Sequence, residues 1–177
     1  MKSLAELFER SLSDKDKARQ WYEAHVRIET YKKGTVLQSK GDAIANTFFV
    51  RKGLLRSYAI DTHKKERIYL FAPEGWIVGD MEAQAFNTPA ALYVDCLEDS
   101  EVELIDQALF REYLKLIPEA NLYDEILRLV RRIAVLQRRV IMLMGATARE
   151  RYLEFLKTYP DIVQRVPQKL IASYLGI

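Results

Sequence analysis

Leu122, Ile126, Leu129, Ile133, Leu136, Val140 and Leu143 recur at alternating intervals of four and three, the a/d pattern of a helix that packs along a seam. No other stretch restricts the fold so tightly. A second stripe, Leu127, Val130, Ala134, Ile141 and Met144, runs beside the first. A helix this long outruns what one small domain can cover, so one stripe can serve its own subunit and the other a partner. The expected assembly is a homodimer, with residues 118–145 as the dimerisation helix. Pro118 suits the start of this helix, and Gly145 suits a left-handed residue after its last turn. Thr147-Ala148-Arg149-Glu150 then reads as a capping box that restarts a helix. Gly145 and Thr147 therefore bracket an expected hinge, and Pro160 ends the second helix.

Upstream of the seam the texture changes. Ser3-Leu4-Ala5-Glu6 reads as a capping box, with Leu4, Leu7, Phe8 and Leu12 at helical spacing and a second helical stretch over 18–25. Between 27 and 105 come seven β-branched and aromatic runs: 27–31, 35–38, 47–51, 54–60, 67–71, 92–97 and 101–105. Short strands at regular spacing indicate a closed sandwich or barrel. Gly34, Gly41, Gly53 and Gly75 each fall between two runs, where a turn needs positive φ. Asp106 reads as the N-cap of a helix over 107–116. The fold class is α+β, a β-roll of jelly-roll type with helices at both ends.

Composition narrows the function. The chain has no run of eighteen apolar residues and no leader-like block in its first thirty, which favours a cytoplasmic protein with no membrane partner. The single cysteine, Cys96, sits in an apolar stretch and reads as a small buried side chain; one thiol cannot hold an iron–sulfur cluster. The two histidines are 38 positions apart, His25 ending a helix and His63 in a charged hairpin turn, so neither a metal centre nor an axial haem ligand is expected. No nucleophile–base constellation appears. The expectation is therefore no enzyme, no cofactor, no metal and no catalytic residues. Residues 1–117 hold 17 Lys/Arg against 19 Asp/Glu, whereas residues 118–177 hold 10 against 6, a basic bias where nucleic acid contact is expected.

The last segment supports that contact. A short helix from Pro167, with Ile171 and Leu175 on one face and Gly176 directly after, is how a helix-turn-helix begins. Tyr31-Lys32-Lys33-Gly34-Thr35-Val36-Leu37 and Lys40-Gly41-Asp42, then Phe48-Phe49-Val50-Arg51-Lys52-Gly53-Leu54-Leu55-Arg56, and finally Arg165-Val166-Pro167-Gln168 with Ile171-Ala172-Ser173-Tyr174-Leu175-Gly176 resemble the Crp/Fnr transcription regulators. The likeness is strongest to the short branch found in Bacteroidetes-type bacteria. It spans essentially the whole chain and implies a β-roll effector domain over 1–117, the dimerisation helix over 118–145, and the start of a winged helix-turn-helix over 146–177. Gln168, Lys169 and Ser173 fall in the DNA-binding part. The recognition helix would lie after Ile177, so base-specific reading is not expected of these 177 residues.

In cyclic-nucleotide-binding relatives, a Gly-Glu pair and a later Arg form a phosphate cassette. The arginine neutralises the cyclic phosphate, the amides after it donate to that phosphate, and the glutamate binds the ribose hydroxyl. Gly79-Asp80-Met81 matches the first half in shortened form, whereas the second half reads Pro89-Ala90-Ala91, and no Lys or Arg occurs between Gly79 and Arg111. The resemblance therefore places an effector pocket at Gly79, Asp80, Met81, Ala90 and Ala91, with Arg131 and Arg132 able to reach it from the helix. Cyclic AMP and cyclic GMP are not the expected effectors, and the effector itself is unidentified. The alternative is a cyclic-nucleotide regulatory module of a larger signalling protein.

Overall fold

The computed structural model describes residues 3–12, 14–43 and 46–177, apart from the side chains of Gln107, Phe110, Ala120 and Glu125. The chain forms two compact units, Met1–Pro118 and Glu119–Ile177.

In the first unit, helices α1 (Leu4–Ser11) and α2 (Lys15–His25) precede eight strands. These are β1 (Arg27–Tyr31), β2 (Val36–Gln38), β3 (Thr47–Lys52), β4 (Leu55–Ile60), β5 (Glu66–Ala72), β6 (Ile77–Val78), β7 (Tyr93–Cys96) and β8 (Ser100–Ile105), with α3 (Met81–Phe86) after β6 and α4 (Gln107–Lys115) after β8. All seven expected strands are present. The additions are β6 and α3, both too short to show a periodicity. The strands make two antiparallel sheets, ordered β1-β8-β3-β6 and β2-β7-β4-β5.

Alternation along each strand decides what is buried. Phe48, Val50, Val102 and Leu104 of the first sheet meet Leu55, Ala72, Val94 and Cys96 of the second in one apolar core. The intervening residues Phe49 and Ile105 turn to the other face of the first sheet. There they pack with Leu4, Phe8, Leu12, Ala18, Tyr113 and Ile117 of the helical layer. Gly53 (φ +92) turns β3 into β4 where a Cβ would lie 2.6 Å from the Asp99 carbonyl oxygen, so no side chain fits there.

Glu103 also faces the helical layer, opposite Phe49 and Ile28, and is fully buried. Its Oε2 accepts from the Leu4 amide at 2.6 Å, the Tyr22 hydroxyl donates to it, and Arg51 Nε lies 3.5 Å from Oε1. This corrects the sequence expectation for α1. The Ser3 side chain makes no cap hydrogen bond, and the helix end is met instead by a carboxylate 99 residues away. A buried carboxylate satisfies a free amide and complements the helix dipole more strongly than an exposed hydroxyl does.

In the second unit, α5 (Glu119–Gly145) is followed by α6 (Ala148–Thr158), a 3-10 turn (Ile162–Gln164) and α7 (Gln168–Leu175). Thr147 and Glu150 form the complete capping box expected of them. Gly145 departs from expectation. It lies within α5 and is absent from the positive-φ glycines, and a Cβ there would meet open space. Continuing the helix satisfies its amide without the left-handed turn. The left-handed glycine of this unit is Gly176 (φ +71), which caps α7. Phe155, Tyr159 and Tyr174 form an aromatic cluster with ring centroids 5.2 to 5.6 Å apart. Arg139 of α5 stacks on the Tyr174 ring at 3.9 Å and donates to the Tyr174 carbonyl, which ties α7 to α5.

Burial, opposed by the bonds from Leu4 and Tyr22 and by the charge of Arg51, holds the Glu103 pKa above its ordinary value. The folded protein therefore binds this proton more tightly than the unfolded chain. Its contribution to stability is greatest below the ordinary glutamate pKa and declines as pH rises through the raised value. Urea melts from about pH 4 to about pH 8 of the parent and of Glu103→Gln are expected to show this decline in the parent alone; parallel curves would contradict it.

Candidate effector site

The loop between β6 and β7 is built around one carboxylate. Gly79 is a glycine because a Cβ there would lie 2.7 Å from the Asn46 carbonyl oxygen. Asp80 follows as the N-cap of α3 and is buried. Its Oδ1 accepts from the Ala83 amide at 3.1 Å, and its Oδ2 accepts from the Ala91 amide at 2.7 Å and the Leu92 amide at 3.0 Å. A single side chain thus closes the loop by joining its first residue to its last.

The structure brings Gly79, Asp80 and Ala91 together, with Ala90 buried next to them. The Ala90 amide donates to the Asp42 carbonyl, and the Ala90 carbonyl accepts from the Gly41 amide. Met81 heads α3 with its side chain largely exposed. Arg131 and Arg132 lie on α5, in the other unit. Arg111, the first cation in sequence after Gly79, donates to the Gln84 carbonyl at the back of α3.

Sequence reading missed the polar groups on the inner face. Gln38, Val94, Ser57 and Leu70 are paired in one row across the second sheet. Gln38 donates through Nε2 to the Leu92 carbonyl at 2.9 Å, yet its Oε1 has no hydrogen-bond partner among the described residues, and neither has the Ser57 hydroxyl. A signal was present: both are polar residues at positions whose strand parity points inward. On the outer face of the same sheet Arg56 makes two 2.8 Å bonds to Asp95, pairs with Glu66 at 2.5 Å, and stacks on Tyr58 at 4.2 Å. Burial works against the Arg56 charge, but the bonds to Asp95 and Glu66 outweigh it and its pKa is raised.

Among the described residues no group of three or more His, Cys, Asp or Glu could hold a metal ion, and no helix is long and apolar enough to cross a membrane. In the second unit, Gln168 and Lys169 are exposed on the first turn of α7 and Ser173 is half-buried.

Two antiparallel sheets closed on one core, with a helix-capped loop entering the second sheet, define a β-roll of the cyclic-nucleotide-binding type. The chain belongs to the cyclic nucleotide-binding domain family, whose sequence profile matches residues 28–116, half of the chain. No curated protein sequence matches it. Among solved structures, FixK2 from Bradyrhizobium japonicum superposes with a TM-score of 0.69 at 16% identity, covering 86% of this chain and 78% of that one. The c-di-GMP responsive global regulator CLP of Xanthomonas campestris gives 0.61 at 19% identity, over 78% of this chain and 69% of its own. A CooA mutant from Carboxydothermus hydrogenoformans gives 0.61 at 22%, over 85% and 70%. These neighbours are Crp/Fnr-type regulators, and at such identities the likeness is one of fold.

Replacing Asp80 by Ala leaves three amides without their acceptor. The expected loss is about 2 kcal/mol or more of unfolding free energy, read by chemical denaturation; a change within about 0.5 kcal/mol would mean that the loop closes without this carboxylate.

Proposed function

We propose that the chain is the sensor and dimer-helix part of a Crp/Fnr-type DNA-binding transcription regulator whose effector is not a cyclic nucleotide. The observation that carries the effector reading is the occupancy of the cassette amides. Those of Ala91 and Leu92 fall where the family resemblance expects donors to a cyclic phosphate, and both donate to Asp80. A phosphate placed there would meet a carboxylate and no counter-charge, since Ala90 stands where those relatives carry arginine. Gln38 Oε1 and the Ser57 hydroxyl supply the polar contacts for an uncharged effector, and Arg131 and Arg132 are candidates for further contacts from the dimerisation helix.

The regulator reading rests on the second unit. Leu122, Ile126, Leu129, Ile133, Val140 and Leu143 are all exposed in the single chain, an apolar area larger than a soluble monomer normally carries. A second copy related by a two-fold axis covers it. In this reading residues 1–117 sense, 118–145 dimerise, and 146–177 begin the DNA-binding domain, with Gln168, Lys169 and Ser173 on its side of the hinge at 145–147. Palindromic DNA with half-sites about one helical turn apart is the matching target. A regulatory module of a larger signalling protein would share the β-roll but has no evident use for this seam followed by a capped pair of helices.

Two measurements test the reading. Sedimentation of the chain at micromolar concentration is expected to give a dimer, and Ile133→Asp, at a position 62% exposed in the single chain, a folded monomer. A monomeric parent or a dimeric variant would remove the seam. In calorimetry, cyclic AMP is expected to give no saturable heat with the parent, while Asp80→Ala combined with Ala90→Arg frees the amides, restores the cation and gains binding. Micromolar affinity of the parent would overturn the effector assignment.

A further inference from the structure

A cleft of about 580 Å³ opens in the first unit where α2 faces the segment between α4 and α5. Its size is that of a small-molecule site. Leu12, Leu116 and Pro118 give it apolar walls, and Trp21 with His25 gives it an aromatic one. The Trp21 ring is held edge-on by Phe8 at 5.0 Å and at a tilt by Tyr113 at 5.4 Å, and it stacks on the His25 ring at 4.6 Å, so this wall is fixed before any ligand arrives.

The hydrogen-bonding capacity of the cleft is also fixed. His25 Nδ1 lies 2.8 Å from the Trp21 carbonyl oxygen, which can only accept, so Nδ1 carries the hydrogen. In the neutral ring Nε2 is then a bare acceptor, and no partner meets it among the described residues. The two charged side chains at the cleft, Asp14 and Lys17, pair with each other. Asp14 caps α2 through the Asp16 and Lys17 amides, and its second oxygen lies 3.8 Å from the Lys17 ammonium.

We propose that this cleft is a ligand site for a small, uncharged aromatic molecule that donates one hydrogen bond, of the phenol or indole type. The flat ring lies against Trp21 at the edge of His25, the apolar residues enclose it, and its O–H or N–H donates in the plane of the imidazole to His25 Nε2. A carboxylate would bring an acceptor to an acceptor. The site is separate from the Asp80 loop and does not rest on the DNA-binding reading. Pro118 in its wall immediately precedes α5, so occupancy would bear on the start of the seam helix.

Calorimetry on the full chain, with phenol as probe and toluene as the same ring without a donor, tests the assignment. Phenol is expected to bind saturably, one per chain, and about tenfold more tightly than toluene, the weight of one hydrogen bond of about 1.4 kcal/mol. His25→Phe keeps a stacked ring but removes Nε2, so it is expected to erase the preference for phenol. Leu116→Trp fills the open side from a half-exposed position and abolishes both; should it not fold by thermal melting, Gln20→Trp on the exposed side of α2 replaces it. No saturable phenol binding would overturn the proposal, as would a preference that survives His25→Phe. Binding unchanged by the filling variant would place the probe elsewhere and overturn it too.

Discussion

One buried carboxylate governs how the helical layer meets the β-roll. Glu103 lies on a largely apolar face of the first sheet, and removing such a charge from water is costly unless partners come with it. The partners come from three places: the first amide of α1, the hydroxyl of Tyr22 on α2, and the guanidinium of Arg51 on β3. Apolar packing among Phe8, Phe49 and Tyr113 would tolerate several helix positions. The carboxylate tolerates few, because a shift of one turn would leave it unpaired. The aromatic wall formed by Trp21 and His25 inherits its position from this pin.

Asp80 uses the same chemistry for another purpose. A pair of consecutive amides pointing into a loop is a ready place for an anion, and here the protein supplies the anion from its own chain. The loop is thereby closed without a ligand. On the inner face beyond it Gln38 Oε1 and the Ser57 hydroxyl have no hydrogen-bond partner among the described residues. Asp80 thus fills the place of an anion in a stretch that has no Lys or Arg between Gly79 and Arg111.

Much of this was legible in the sequence, for physical reasons that can be named. Strands 27–31 and 47–52 announce themselves through β-branched and aromatic residues between turns, and Asp106 and Thr147 cap their helices with side chains three residues from the amides they serve. Signals of that kind are local. The misreadings came where a distant group competed. Ser3 and Glu6 have the spacing of a capping box, but Ser3 makes no cap hydrogen bond and the Leu4 amide is met by Glu103, 99 residues away. Gly145 has the position of a left-handed cap, but it is the last residue of α5 and does not take a positive φ. At the candidate site the absence of Lys and Arg between Gly79 and Arg111 was visible in the sequence, whereas the occupation of the amides by Asp80 was not, because it depends on a loop closing over eleven positions.

Cys96 gives the β-roll a property of its own. It is the only cysteine of the chain, it sits in the apolar core between the two sheets, and burial pushes its thiol up to about 11. At neutral pH it is neither exposed nor ionised, and both are needed for reaction with an alkylating reagent or an oxidant. Modification must wait for the sheets to part, so the rate at which this one sulfur reacts is a clock for the breathing of the β-roll core.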